Sequence, residues 1–235
     1  MKNIFCFFIV LLIVFQGYGQ TVEEYFSKGN DKFTLQDYNG AISDYNKALE
    51  INPKYAGLYF NRGLAKDNLN DYRGAISDYT KAIELNAVYV DAYFNRGLVK
   101  IKLQDFMGAI ADYNRTIKLD PLQSLAYFNR GVLKSNLQDF RGAVADYDRA
   151  IEISPNYESA YINRGSMKGN LKDFAGSIAD FNKALELNPE NGMVYFNRGL
   201  IKIYSGQKDS GCLDLSKAGE LGYSKANDSI KELCH

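Results

Sequence analysis

The sequence predicts an all-α fold in which six helix-turn-helix repeats stack along the chain and a short C-terminal helix closes the array. Three observations indicate this fold: a strict 34-residue period, two amphipathic stretches in every period, and turn-forming or helix-ending residues between those stretches. The composition agrees, because 46% apolar and 24% charged residues are typical of a globular protein.

The 34-residue period is visible in several residue types, which keep their spacing from Val22 to about Lys225 without insertion or deletion. One tyrosine series consists of Tyr25, Tyr59, Tyr93, Tyr127, Tyr161 and Tyr195. The predicted repeats are residues 22–55, 56–89, 90–123, 124–157, 158–191 and 192–225, followed by a capping helix at 226–235. A single helical hairpin cannot bury its apolar face alone, so neighbouring repeats should stack.

Each repeat contains the pattern of two helices, as the second repeat illustrates. Apolar residues recur at spacings of three and four from Ala56 to Leu69 and again from Gly74 to Leu85, which indicates two amphipathic helices. Between them, Asp71 is suited to cap the second helix. The four prolines follow second helices, which they cannot continue: they are Pro53, Pro121, Pro155 and Pro189.

The first 19 residues have the pattern of a secretory signal peptide. Lys2 gives a positive start, residues 4–15 form an apolar run, and small residues precede the expected cleavage site after Gly19. The run is shorter than the roughly 20 residues that a transmembrane helix needs. We therefore expect a secreted or periplasmic protein that is not inserted in a membrane after cleavage. An uncleaved anchor or a buried first helix is the alternative.

Charge and residue types argue against several function classes. Lys plus Arg and Asp plus Glu number 28 each, so the chain has no electrostatic reason to bind nucleic acid. His235, the single histidine, is the last residue, and the sequence has neither a Gly-rich phosphate loop nor a metal-spaced cluster. We therefore expect no catalytic residues, no cofactor and no metal.

The repeat resembles the tetratricopeptide repeat family, which has the same length and a pattern of aromatic, Leu-Gly, Tyr, Ala, aromatic and Pro. The corresponding residues of the fourth repeat are Tyr127, Arg130, Gly131, Lys134, Ala143, Tyr147 and Pro155. Arg130 replaces the usual Leu, and Lys134 replaces the usual Tyr. The resemblance covers residues 22–225. It implies a right-handed α-solenoid and a non-catalytic adaptor that binds a protein or peptide in a concave groove lined by first helices.

The resemblance also places an asparagine series on that groove: Asn61, Asn95, Asn129, Asn163 and Asn197. An amide side chain can pair with a peptide N–H and C=O together, so this series could hold an extended chain. The alternative is that the asparagines bond to neighbouring helices and serve packing. Phenylalanines precede these positions, either as groove lining or as core, and include Phe60, Phe94 and Phe128.

Opposite charges recur in the two helices of each repeat and predict structural ion pairs. The cations are Arg62, Arg96, Arg130, Arg164 and Arg198. The carboxylates are Asp78, Asp112, Asp146 and Asp180. Such pairs would fix the register of packed helices, whereas the alternative is an arginine–carboxylate site for a ligand.

Cys212 and Cys234 are candidates for a disulfide, because an antiparallel helical hairpin turning near Gly222 would bring them together. An oxidising compartment would favour the bond, and two buried thiols are the alternative. For the whole chain, a protein-binding scaffold is the favoured function. A self-assembling structural protein of the cell envelope is the alternative, an enzyme is least favoured, and the sequence leaves the oligomeric state open.

Overall fold

A computed structural model of the protein describes residues 21–234, in which every regular element is an α-helix. The helices are α1 Val22–Thr34, α2 Tyr38–Ile51, α3 Ala56–Asn68, α4 Tyr72–Leu85, α5 Val90–Lys102, α6 Phe106–Leu119, α7 Ser124–Asn136, α8 Phe140–Ile153, α9 Glu158–Asn170, α10 Phe174–Leu187, α11 Gly192–Tyr204, α12 Lys208–Glu220 and α13 Lys225–Leu233. The signal peptide predicted at residues 1–19 and the terminal His235 lie outside the described residues.

The described part of the chain divides into two compact units, which lie within Met1–Gln104 and within Asp105–His235. Within the first unit, α1 to α5 pack in chain order, each helix against the next. Within the second unit, α6 to α13 follow the same rule. First helices of successive repeats also touch, as α1 touches α3 and α9 touches α11. This arrangement confirms the all-α helical-repeat fold that the 34-residue period predicts.

The turn inside a repeat is formed by a left-handed residue followed by an aspartate cap. In the second repeat, Asn70 has a φ of 60° and Asp71 accepts a hydrogen bond from the Gly74 amide at 3.0 Å. Asparagine tolerates a positive φ better than most residues, and aspartate satisfies an N–H that the helix leaves unpaired. The same cap begins other second helices at Asp37, Asp105, Asp139 and Asp173.

The two helices of a repeat cross closely because a glycine of the first faces a buried aromatic ring of the second. A Cβ on Gly63 would lie 2.8 Å from Cε1 of Tyr79, and Tyr79 is fully buried together with Ala82. In the second unit, Gly131 has the same relation to Tyr147. These crossings bring the first and second helices of a repeat together and leave the first helices beside one another.

The second unit ends with α13, which packs on α12. Ala226 is its fully buried residue, so this nine-residue helix has little core of its own. A disulfide joins Cys212 of α12 to Cys234, with the two Cα atoms 5.7 Å apart. Among residues 21–234, no helix combines the length and the apolar character that spanning a membrane requires.

Candidate protein-binding surface

The regular charges of the repeats meet as buried ion pairs. Arg62 donates from Nε and Nη2 to the two oxygens of Asp78, at 2.9 and 2.5 Å, and the Lys66 Nζ lies 2.7 Å from the same carboxylate. The Arg62 Nη1 also donates to Asn46 of the preceding repeat at 2.6 Å. Asp78 is 3% exposed, so its charge depends on these partners. One arginine thus ties together α2, α3 and α4.

The second unit repeats this arrangement three times, with Asp146, Asp180 and Asp214 as the buried carboxylates. Their cations are Arg130 with Lys134, Arg164 with Lys168, and Arg198 with Lys202. Arg96 donates to Thr80 of the preceding repeat at 2.9 Å, and Asp112 is buried like its equivalents. Because bidentate pairing uses both carboxylate oxygens, the geometry favours the structural interpretation over a ligand site.

The phenylalanines of the first helices are half-buried among tyrosine rings. The Phe60 ring centroid lies 5.7 Å from that of Tyr79 and 4.9 Å from that of Tyr89. Phe128 has the same two neighbours in its own repeat, and Phe94 is half-buried as well. Aromatic pairs at these separations stabilise the packing of a hairpin. These rings therefore belong at least in part to the core.

Two asparagines of the series, Asn61 and Asn95, donate hydrogen bonds inside the protein. The Asn61 amide donates to Asn30 Oδ1 at 3.2 Å, and the same oxygen accepts from the Tyr45 hydroxyl at 2.8 Å. Asn95 donates to the carbonyl of Asp91, one turn earlier in its own helix, at 2.8 Å. Each of these bonds uses one N–H donor of the side-chain amide. The bond directs the Asn61 amide toward the neighbouring repeat and the Asn95 amide along its own helix.

In the second unit, two asparagines influence the pKa of the buried tyrosine of the preceding repeat. Burial raises the pKa of Tyr113, and a hydrogen bond with Asn129 lowers it in part. Burial likewise raises the pKa of Tyr147, and side-chain hydrogen bonds with Ser135 and Asn163 lower that pKa in part. Phenylalanine occupies the equivalent position of the fifth repeat, as Phe181, so Asn197 has no hydroxyl there to bind.

Two pockets open at equivalent places between neighbouring first helices, one in each unit. The first pocket, about 300 Å³, is lined by Asn30, Phe33, Thr34, Tyr45, Asn61 and Leu64. The second, about 170 Å³, is lined by Ser166, Phe181, Asn197, Leu200, Ile201 and Tyr204. Each combines apolar walls with an amide of the asparagine series, as binding sites commonly do. We call the surface that carries each pocket the first-helix face of that unit.

Sequence reasoning identified the amides of these pockets but missed Asn30, Ser166 and Tyr204. Asn30 and Ser166 stand at equivalent repeat positions one turn beyond the asparagine position, and Tyr204 stands one further turn along its helix. Helical spacing from the asparagines could have found all three, since residues three or four apart share a face. Within the described range, 21–234, no group of three His, Cys, Asp or Glu side chains could hold a metal ion.

Comparison with known proteins identifies the repeat. Models described as TPR repeat match residues 29–66 and 68–104, and models described as tetratricopeptide repeat match residues 90–121, 124–157 and 158–191. No curated protein sequence matches the chain.

Several solved structures share the fold. The crystal structure of YrrB, described as a TPR protein with an unusual peptide-binding site, has a TM-score of 0.74 at 21% identity, covering 80% of this chain and 97% of YrrB. MamA has a TM-score of 0.69 at 23% identity, covering 73% and 94%. A tetratricopeptide repeat protein from Parabacteroides merdae has a TM-score of 0.68 at 23% identity, covering 92% and 98%. The repeat models together with these structural neighbours show that the chain belongs to the tetratricopeptide repeat family.

Proposed function

We propose that this protein is a non-catalytic interaction scaffold, which binds a peptide or protein segment on the first-helix face in the periplasm or outside the cell. The family is in general a protein-interaction scaffold, and YrrB, a fold neighbour, is described as having a peptide-binding site. The observation that carries the proposal is the recurrence of a pocket with apolar walls and an amide at the same repeat position in both units.

The chemistry of these pockets suits a peptide. Apolar walls remove a side chain from water, and an amide can satisfy the backbone groups that binding would otherwise leave unpaired. The charges of the repeats, by contrast, are engaged in ion pairs such as Arg62 with Asp78 and Arg198 with Asp214. Recognition on this face would therefore depend on shape and backbone pairing more than on charge.

Export is supported by two features. Residues 1–19 have the sequence pattern of a signal peptide, and the disulfide between Cys212 and Cys234 is of the kind that persists in oxidising compartments. We accordingly place the function outside the cytoplasm.

A pair of blocking substitutions tests the surface without disturbing the core. Thr34 and Tyr204 are exposed pocket residues, Tyr204 at 64%, so Thr34→Arg with Tyr204→Arg should fill both pockets and leave the fold intact. The matched control is Leu213→Arg, because Leu213 is 72% exposed on α12, a second helix, and lines neither pocket. Peptides selected from a phage-displayed random library on the parent protein should bind the control and not the blocked variant.

Equal binding to both variants would place the site elsewhere on the protein and overturn the surface assignment. If the library yields no binder and the mass in solution rises with concentration, the self-assembling structural protein becomes the better interpretation. Light scattering on the parent protein measures that mass directly.

A further inference from the structure

A third pocket, of about 390 Å³, belongs to the second repeat and shares no lining residue with the two pockets of the first-helix face. Tyr59 and Arg62 of α3 line one side of it. One face of α4 lines the other side, where Ser77, Lys81 and Glu84 follow one another at helical spacing. Small-molecule sites commonly have volumes of roughly 300–1,000 Å³, so this pocket suits a ligand of one or two rings.

The charges in this lining are engaged with one another. All three nitrogens of the Arg62 guanidinium donate, Nε and Nη2 to the buried Asp78 and Nη1 to Asn46. At the exposed side, the Lys81 Nζ lies 2.9 Å from Oε2 of Glu84, and this hydrogen bond raises the pKa of Lys81. An anionic ligand would have to displace a carboxylate, and a cationic ligand would have to displace an ammonium or guanidinium group. The pocket therefore favours a neutral ligand.

The same lining still offers hydrogen bonds of both kinds. The Ser77 hydroxyl is exposed and can both donate and accept. The Thr80 hydroxyl oxygen accepts from Arg96 at 2.9 Å, which leaves its O–H as a donor. Lys81 has further N–H donors, and the Oε1 of Glu84 is an acceptor. A hydroxyl group of a ligand likewise donates and accepts, so a polyhydroxylated molecule matches this lining better than an apolar one.

The pair of hydroxyl side chains distinguishes the second repeat from the others. The positions equivalent to Ser77 and Thr80 hold Ser and Asn in the first repeat, Ala and Asn or Asp in the third to fifth repeats, and Leu and Ser in the sixth. The exposed ion pair, by contrast, recurs, as between Lys183 and Glu186 of the fifth repeat at 2.7 Å. A ligand that needs both hydroxyls would therefore bind the second repeat selectively.

We propose that this pocket is a second binding site, which takes a neutral mono- or disaccharide. The sugar hydroxyls pair with Ser77, Thr80 and the Lys81–Glu84 pair, while the partly exposed Tyr59 ring provides apolar surface for the C–H groups of the sugar. Because the site lies apart from the first-helix face, it adds saccharide recognition to the scaffold and does not depend on peptide binding there.

The repeats supply matched variants for the test. Ser77→Ala removes one hydroxyl and should keep the fold, because alanine stands at the equivalent position of three other repeats. Glu84→Ala removes an exposed carboxylate of the site. The controls are Ser43→Ala and Glu186→Ala, which make the same changes at equivalent positions outside the pocket. Melting curves by circular dichroism check the fold of every variant.

The probes are glucose, galactose, mannose, N-acetylglucosamine and their disaccharides, both free in solution and attached to an array surface. Titration of the free sugars into labelled protein is followed by NMR. We expect Ser77→Ala to weaken binding by about fivefold, for loss of one neutral hydrogen bond, and Glu84→Ala by about twentyfold, for loss of a bond to a charged group. Both controls should bind like the parent. Binding to the array as well would identify the end of a polysaccharide as the ligand, and binding of free sugars alone would identify a soluble saccharide.

Three results would overturn the proposal. One is a parent protein that binds none of these sugars at concentrations of tens of millimolar. Another is binding that Ser77→Ala and Glu84→Ala leave unchanged, which would show that the sugar binds elsewhere. The last is a preference for inorganic phosphate or glucose 6-phosphate over the neutral sugars, which would show that the pocket selects an anion.

Discussion

Arg62 holds Asp78 with two parallel hydrogen bonds, and the same guanidinium group lies 5.3 Å from the centre of the Tyr59 ring. A third nitrogen reaches Asn46 in the preceding repeat. The arginine thereby connects the two helices of its own repeat to each other and to the neighbouring repeat. The N–H groups of a guanidinium lie in one plane and point in fixed directions, so this contact is made in only one stacking register of the helices. The ammonium group of a lysine has no such fixed geometry and would specify the register less strictly.

Removing the carboxylate should destabilise the fold without affecting recognition. Asp78→Ala leaves the Arg62 and Lys66 charges without their buried partner, and both cations keep some exposure, so we expect a loss of about 3 kcal/mol in the free energy of unfolding. Urea unfolding measures this loss. Glu84→Ala is the control, because Glu84 pairs with Lys81 at the surface and should give no measurable change. A loss of peptide affinity larger than the loss of stability would contradict the structural assignment.

The close crossing of α3 and α4 predicts opposite results for two glycines of one helix. In Gly63→Ala the new Cβ meets the fully buried Tyr79 ring, so overpacking should exceed the gain in helix propensity and give a net loss of about 1–2 kcal/mol. In Gly57→Ala the Cβ meets the Tyr55 ring, which is 37% exposed and can move, so stability should stay constant or rise. Urea unfolding of both variants checks the prediction. The prediction is wrong if the two variants change the free energy of unfolding by the same amount.

The repeat fold could be predicted because its signals are local and recur six times. Asp71 as a cap and the small residues at the crossing follow from spacing within one repeat. The state of the asparagines could not be predicted this way, because it depends on contacts between repeats. Asn61 and Asn197 occupy equivalent positions, yet Asn61 is bonded through Asn30 while Asn197 faces Phe181. Whether an asparagine serves packing or lines the groove therefore depends on the side chains of the neighbouring repeat, which the periodicity alone does not identify.

The buried Tyr45 predicts a loss of stability at alkaline pH. Burial raises the Tyr45 pKa from 10.0 to about 12, so the folded protein disfavours the phenolate. The contribution of the protonated Tyr45 to the free energy of unfolding is complete below pH 10, the ordinary pKa of a tyrosine. This contribution is lost as the pH rises through about 12. At neutral pH, Tyr45→Phe should lower the free energy of unfolding, because it removes the hydrogen bond to Asn30. Above pH 10 the difference in this free energy between the variant and the parent should become smaller, because phenylalanine has no proton to lose. Urea unfolding midpoints across this pH range measure both effects. A difference in midpoint between variant and parent that stays constant with pH would contradict the raised pKa of Tyr45.

Export predicts a defined mature N-terminus. If residues 1–19 are a signal peptide, the protein recovered from a bacterial periplasm or culture medium should begin at Gln20. N-terminal sequencing gives this directly, and replacing several apolar residues of 4–15 with charged ones should leave the protein uncleaved in the cytoplasm. Recovery of the full-length chain in the membrane fraction would instead indicate the uncleaved anchor.

The disulfide between Cys212 and Cys234 should hold the last helix in place. It closes a loop of 22 residues, for which chain entropy predicts a contribution of roughly 3 kcal/mol. The α13 helix has one fully buried residue and only nine residues in all, which is too short to be stable alone. Reduction should therefore release α13 selectively, and hydrogen exchange should increase over residues 225–233 while α7 to α10 stay protected. The Cys212→Ser and Cys234→Ser double variant should exchange like the reduced protein and respond to no reductant, whereas protection of α13 in that variant would show that packing on α12 suffices.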